Sequence, residues 1–196
     1  LKEENILSEF SGKLDKVSIW IYLVDMLIQP KFHLQKRSNI DGVHIPFVTD
    51  IDRASELAHS FPMVVTAGPS EASVDWGHPN HAVESFHDVT AEMERSNPNW
   101  QAPALDQIRR LVEFGASSNE EILVHCHAGI SRSTATAIGI SIARGLTLRK
   151  AVRAVSDAHP DYHPFYPNVT ILSHIETIFD IRDGELRHYA GMQERY

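Results

Sequence analysis

A single cysteine, Cys126, stands in this chain of 196 residues, so no intramolecular disulfide can form and no multi-cysteine metal site can be built. Basic side chains are also scarce, 18 against 26 acidic ones, for a formal charge of -8. A general nucleic-acid binder needs a basic face that displaces counterions from phosphates, so nucleic acid is not an expected partner and any phosphate must be captured locally. Long apolar runs are missing too. The longest early one, Val17 to Ile28, is about 12 residues and contains Asp25, whereas a membrane-spanning helix needs about 20. The first 30 residues lack the basic start, apolar stretch and small-residue cleavage site of a signal peptide, in that order. Together these absences give the expectation of a reducing, cytoplasmic setting without a membrane span.

What is present is ordinary globular composition, 42% apolar and 22% charged, in a length that suits one compact domain. No repeat or low-complexity stretch interrupts it. The polar segment Gln35 to Gly42 divides the chain into an arm, residues 1–42, expected to pack on the core with a structure the sequence leaves open, and a domain over 43–196. From Val43 onward strands and helices alternate. An apolar run covers His44 to Val48, a helix Asp52 to Ser60, and a β-rich run Met63 to Thr66. A strand ending reads over Glu84 to Val89, followed by a long polar loop through Pro98 and Pro103. A helix is expected from Ala104 to Phe114, stopped by Gly115. Glu121 to His125 is an apolar run of the kind buried on both faces of a parallel sheet. Helices follow over Ser133 to Arg144, from Thr147 through Ala158, and from Asn168 to Ile181. Alternation at these lengths implies an α/β fold: a mostly parallel central sheet flanked by helices, with a cysteine loop between a central strand and a helix.

That loop, His125-Cys126-His127-Ala128-Gly129-Ile130-Ser131-Arg132-Ser133, puts five residues between cysteine and arginine. Successive backbone N–H groups in such a turn form an anion-binding nest, and the following helix adds its positive N-terminal end. Residues His127, Ala128, Gly129, Ile130, Ser131 and Arg132 are the candidate phosphate cradle, with Gly129 letting the backbone approach closely. The same field favours the thiolate of Cys126 as a nucleophile. Arg132 offers a planar fork of donors for two phosphate oxygens, and the hydroxyl of Ser133 can stabilise the sulfur as a leaving group. Expelling an alkoxide or phenolate needs a proton donor, and activating water afterwards needs a base; one carboxylate can serve both steps. Asp88, at the end of a strand, is the first choice because ligands bind at the carboxyl edge of open parallel sheets. Glu92, Glu94 and Asp106 remain candidates.

The pattern of His-Cys, five residues, Arg-Ser, with glycine three after the cysteine, resembles the signature of the cysteine-based protein tyrosine phosphatase superfamily. Residues Met63 to Ile181, including Pro167-Asn168, look like the core of its compact dual-specificity branch. The resemblance implies hydrolysis of phosphate monoesters through a phosphocysteine intermediate without cofactor or metal, on a phosphorylated protein or a small phosphate monoester. It implies that an upstream aspartate acts as acid and base. Asp88 matches that position, although it lies 38 positions before Cys126, a longer gap than in compact members, and no Trp-Pro-Asp loop is present. It also implies that Asn168 braces the loop, which is compatible with its reading as a helix N-cap. His125 is expected to be buried and to support the loop through its backbone. Two alternatives stay open: an inositol-phosphate or phosphoinositide phosphatase, and a catalytically silent phosphate-binding module. The histidine pairs His78/His81, His125/His127 and His159/His163 suggest metal at first sight. The first and last pairs lie in loops without a cysteine or carboxylate at metal-site spacing, and are read as loop histidines. Trp76, Trp100 and Tyr162 are read as packing or pocket-border aromatics.

Overall fold

The computed structural model describes residues 39–68, 76–159 and 164–191. The first 38 residues of the N-terminal arm, including Val17 to Ile28, lie outside them, as do Tyr162 and His163. The described chain opens with a small antiparallel hairpin, β1 (Asn39–Ile40) and β2 (Val43–His44). Its turn places Asp41 and Gly42 at positive φ, 53° and 82°, the combination a two-residue type I′ turn requires. Asn119 clamps the hairpin: its amide donates to the Gly42 carbonyl at 2.7 Å and its oxygen accepts from the His44 N–H at 3.2 Å.

Pro46 has no N–H for a ladder and separates the hairpin from β3 (Phe47–Thr49). After β3 come α1 (Ile51–Leu57) with a 3-10 turn at Ala58–Ser60, β4 (Met63–Gly68), β5 (His81–Ser85), α2 (Ala91–Ser96), α3 (Leu105–Ala116) and β6 (Ile122–His125). The remaining elements are α4 (Arg132–Ala143), α5 (Leu148–Ala158), α6 (Val169–Ile178) and α7 (Glu185–Tyr189). Four strands form one parallel sheet in the order β3-β6-β4-β5. The alternation of strand side chains splits the core. Val64 and Leu123 pack with Ala54, Ala58 and Phe61 on the α1 face. Val48, Met63, Val65, Ile122 and Val124 pack on the other face with Ile108, Leu111, Val112, Ile138, Ile171 and Ile175, from α3, α4 and α6. Because β6 is flanked by β3 and β4, its residues Ile122 to Val124 are at most 1% exposed. The register pairs Thr49 and Thr66 with His125, so the chain leaves β6 at the carboxyl edge of the sheet and enters the cysteine loop there.

Several sequence expectations need correction. Gly115 does not stop α3, which runs to Ala116. A methyl group there would lie 2.5 Å from Ile140 Cδ1, so Gly115 is a packing residue that lets α3 and α4 approach. The strand expected over Glu84 to Val89 lies earlier, at His81–Ser85. The long polar loop carries a helix, α2, whose N-cap Thr90 accepts from the Met93 N–H at 3.2 Å. The last helix ends at Ile178, and a separate helix, α7, follows it. Its anchor is Glu176, buried to 2% exposure, which accepts from the backbone N–H groups of Gly184, Leu186 and Arg187 and from the Arg187 guanidinium at 2.8 to 3.2 Å.

Candidate active site

The loop between β6 and α4 is held from outside by its carbonyls. The Cys126 carbonyl accepts from His125 Nδ1 at 3.3 Å and the His127 carbonyl from the Ile51 N–H at 3.1 Å. The Gly129 carbonyl accepts from His159 Nε2 at 2.9 Å. The Ile130 carbonyl accepts from the Thr134 hydroxyl at 2.7 Å and the Tyr166 N–H at 3.4 Å, and the Ser131 carbonyl from the Asn168 N–H at 3.1 Å. In a planar trans peptide the C=O and the following N–H point in opposite directions. Carbonyls drawn outward on all these residues therefore turn the N–H groups of His127, Ala128, Ile130, Ser131 and Arg132 toward the inside of the loop. Gly129 makes the bend at φ 72°, and a Cβ on it would lie 2.7 Å from the Thr49 carbonyl carbon and 2.8 Å from the Asp50 nitrogen. A side chain is thus excluded both by conformation and by space.

Cys126 is 2% exposed, and its sulfur lies 3.2 Å from the Ser133 hydroxyl oxygen. Arg132, the first residue of α4, is 6% exposed; its Nη1 donates to the Phe86 carbonyl at 3.1 Å, and its Nε is buried without a hydrogen-bond partner. Asp88 reaches the loop from β5. Its Oδ1 accepts from the Ser131 hydroxyl and from the Asn168 amide, both at 2.7 Å, and its Oδ2 lies 3.9 Å from Arg132 Nε. Asn168 also accepts from the Ile171 N–H at 3.0 Å, so one side chain caps α6 and holds Asp88. The segment carrying Asp88 is closed at its base by His87 and Gln101: the His87 N–H donates to the Gln101 carbonyl at 2.7 Å, and the Gln101 N–H to His87 Nδ1 at 2.9 Å. Glu92 and Glu94 lie on α2 and Asp106 in the first turn of α3, and none of the three is hydrogen-bonded to the loop.

His125 is fully buried and touches the Thr66 hydroxyl through Nε2 at 2.6 Å, while that hydroxyl also meets His81 Nε2 at 2.7 Å. Since Nδ1 of His125 faces a carbonyl, it carries the proton, and Nε2 accepts from Thr66. The Thr66 oxygen in turn accepts from His81. Trp76 stacks on His81 with ring centroids 5.5 Å apart and lies 4.9 Å from His125. Burial is the main cause that pushes His125 down to about 4, helped by nearby His81 and opposed by the Cys126 carbonyl and Asp50. The imidazole is therefore neutral at pH 7 and keeps its orientation.

The structure also changes the reading of the other histidines. His78 bridges to the Phe61 carbonyl at 2.9 Å, and His159 is 6% exposed against the cysteine loop. Both lie outside the helices and strands, as loop histidines were expected to, and each also braces the fold through its ring. Trp76 packs internally, and Trp100 is 37% exposed. The contacts of His159, Thr66 and His81 carry no sequence signal: their partners lie 15 to 59 residues away and give no periodic pattern. Among the described residues no cluster of three or more His, Cys, Asp or Glu side chains is placed to hold a metal ion, and no helix is long and apolar enough to cross a membrane.

No family model matches the chain. Over 76 residues it is 36% identical to the dual specificity protein phosphatase Mpk3 of Drosophila melanogaster, a stretch that is 38% of this chain and 18% of that protein. The Yvh1 phosphatase domain from Chaetomium thermophilum aligns over 72% of this chain and 94% of its own, with 19% identity and a TM-score of 0.47. A human tyrosine phosphatase-like serine/threonine/tyrosine-interacting protein aligns over 69% and 91%, with 16% identity and a TM-score of 0.49. The chain thus carries the cysteine, glycine, arginine and serine of the loop at fixed offsets, and the matched stretch of its sequence is similar to part of a dual specificity protein phosphatase, of which it spans less than a fifth.

Proposed function

We propose that the chain is a protein tyrosine or dual-specificity phosphatase working through a phosphocysteine intermediate. The observation that carries this reading is the loop whose outward carbonyls turn successive N–H groups inward around the sulfur of Cys126. A phosphate seated there would meet those donors and the Nε of Arg132, which makes no hydrogen bond and has only the Asp88 carboxylate 3.9 Å away; such a set suits an anion and strengthens as charge moves onto equatorial oxygens. In the first step the Cys126 thiolate forms a P–S bond while the P–O bond of the ester breaks, and the Asp88 carboxyl gives its proton to the leaving oxygen. In the second, the Asp88 carboxylate takes a proton from water as that water attacks phosphorus. The P–S bond breaks, and the Ser133 hydroxyl, 3.2 Å away, stabilises the returning thiolate.

Phosphorylated proteins are the substrate class in this reading. The variable loop positions His127, Ala128, Ile130 and Ser131 supply no lysine for the additional phosphates of an inositol polyphosphate. No nucleic-acid partner belongs to it, and its setting is the reducing cytoplasm, where a lone nucleophilic thiol stays reduced. The test is an aryl phosphate, phosphopeptide and inositol-phosphate panel with wild type, Cys126→Ser and Asp88→Asn. Cys126→Ser should lose turnover and keep phosphate binding; Asp88→Asn should slow release of poor leaving groups. Equal phosphate release by wild type and Cys126→Ser would reject the proposal.

A further inference from the structure

His159 has no part in the chemistry set out above, yet it is buried and its ring faces the cysteine loop. Its position is fixed from two sides. The residue closes α5, with its N–H donating to the carbonyls of Val155 at 2.9 Å and Ser156 at 3.2 Å, and Phe165 packs edge-on against its ring, with centroids 5.9 Å apart. Nε2 then reaches the Gly129 carbonyl at 2.9 Å. A carbonyl oxygen only accepts, so Nε2 carries a hydrogen in this contact.

Gly129 is the residue of the loop with most freedom to turn its peptide plane, having no Cβ to hinder either orientation. On one side the Thr49–Asp50 backbone fills the space where a side chain would go. What remains undetermined by that packing is the rotation of the Gly129–Ile130 peptide. With the carbonyl outward, the Ile130 N–H points into the loop; with the plane reversed, a carbonyl dipole faces the bound anion. The neighbouring carbonyls of His127, Ile130 and Ser131 are held by backbone N–H groups or by the first turn of α4. The Gly129 carbonyl is held by a side chain from another helix.

We propose that His159 is a positioning residue: its Nε2–H bond to the Gly129 carbonyl keeps the Ile130 N–H directed at the phosphate. This rests on the phosphatase reading for its role in turnover, but phosphate binding reports on it separately. The experiment uses the full chain with His159→Asn, whose amide stays polar but stops short of the Gly129 carbonyl, and His159→Gln, whose amide nitrogen reaches about as far as Nε2. Inorganic phosphate is titrated in the Cys126→Ser background while the Ile130 amide is followed by NMR. In the Cys126 enzyme, KM, kcat and orthovanadate inhibition are measured with p-nitrophenyl phosphate.

His159→Asn should weaken phosphate and orthovanadate binding roughly five- to tenfold and raise KM, with a smaller Ile130 shift on phosphate addition; His159→Gln should return within about twofold of wild type. A merely structural role would lower thermal stability and the active fraction while leaving KM and inhibition constants in place. Unchanged phosphate affinity and an unchanged Ile130 shift in folded His159→Asn would overturn the inference, as would His159→Gln being as weak as His159→Asn. Wild type that binds phosphate but hydrolyses no aryl phosphate would instead reject the phosphatase reading.

Discussion

Lowering the pH should destabilise this fold through His125 in a calculable way. The imidazole is fully buried and held down at about 4, while in the unfolded chain it titrates near its ordinary value of 6.5. Between those values the unfolded state binds the proton and the folded state does not, so stability rises with pH across the window. The contribution is complete above 6.5 and lost progressively as pH falls toward 4. At about 1.4 kcal/mol per unit, a drop to pH 5 costs about 2 kcal/mol and the whole window about 3 kcal/mol. His125→Gln removes the titrating ring and leaves every other ionisable group in place. Urea unfolding of both proteins at pH 7.5 and pH 5 gives the difference of differences, in which the other titrations cancel. Wild type should lose about 2 kcal/mol more than His125→Gln. Equal losses would show that burial does not hold the ring neutral, and the assigned chain from His81 through Thr66 to the Cys126 carbonyl would lose its basis.

Four further outcomes follow from particular contacts. Gly129→Ala forces a left-handed conformation and sets a methyl against the Thr49–Asp50 backbone; it should lower stability by about 3 kcal/mol or more in urea unfolding. Gly145→Ala, also at positive φ but with open space around it, should cost only about 1 to 2 kcal/mol. Glu176→Ala should strip the N–H groups of Gly184, Leu186 and Arg187 of their acceptor and cost about 3 kcal/mol or more, read as fast amide exchange at Leu186 and early protease cleavage near α7. Asn168→Asp preserves the α6 cap but opposes a second carboxylate to Asp88. Turnover should fall at pH 7 while the Ile171 amide stays protected; turnover equal to wild type would argue that the 2.7 Å contact has no functional weight.

The centre of the molecule was legible because its signals are local. A run of apolar residues, a glycine and an arginine at fixed offsets specify strand, turn and helix within a dozen positions, whereas the place of β6 between β3 and β4 is seen only in the structure. The errors came from residues whose meaning is set at a distance. Gly115 carries the sequence signature of a helix stop, yet Ile140 on another helix decides its role. The polar stretch after Asp88 hides α2 because its residues are mostly exposed and lack an apolar stripe. Glu176 sits inside an apolar helix as if it were a surface charge, and only the return of the chain at Gly184 to Arg187 supplies the donors that let it be buried. His159 was indistinguishable from a solvated histidine beside a proline.

The paired hydrogen bonds between His87 and Gln101 tie a neck whose far side is free to vary. Asp88 stands directly at that neck, with Phe86 held by Arg132 on the other side, so the position of the carboxylate is decoupled from the length of chain beyond it. Closing a loop grows costlier only logarithmically with its length, by about 0.6 kcal/mol per doubling. Residues around the turn at Asn97 to Asn99 are therefore a site where insertions, tags or exchanged sequences can be accommodated while the carboxylate keeps its place, making the segment a replaceable cassette on a fixed hinge.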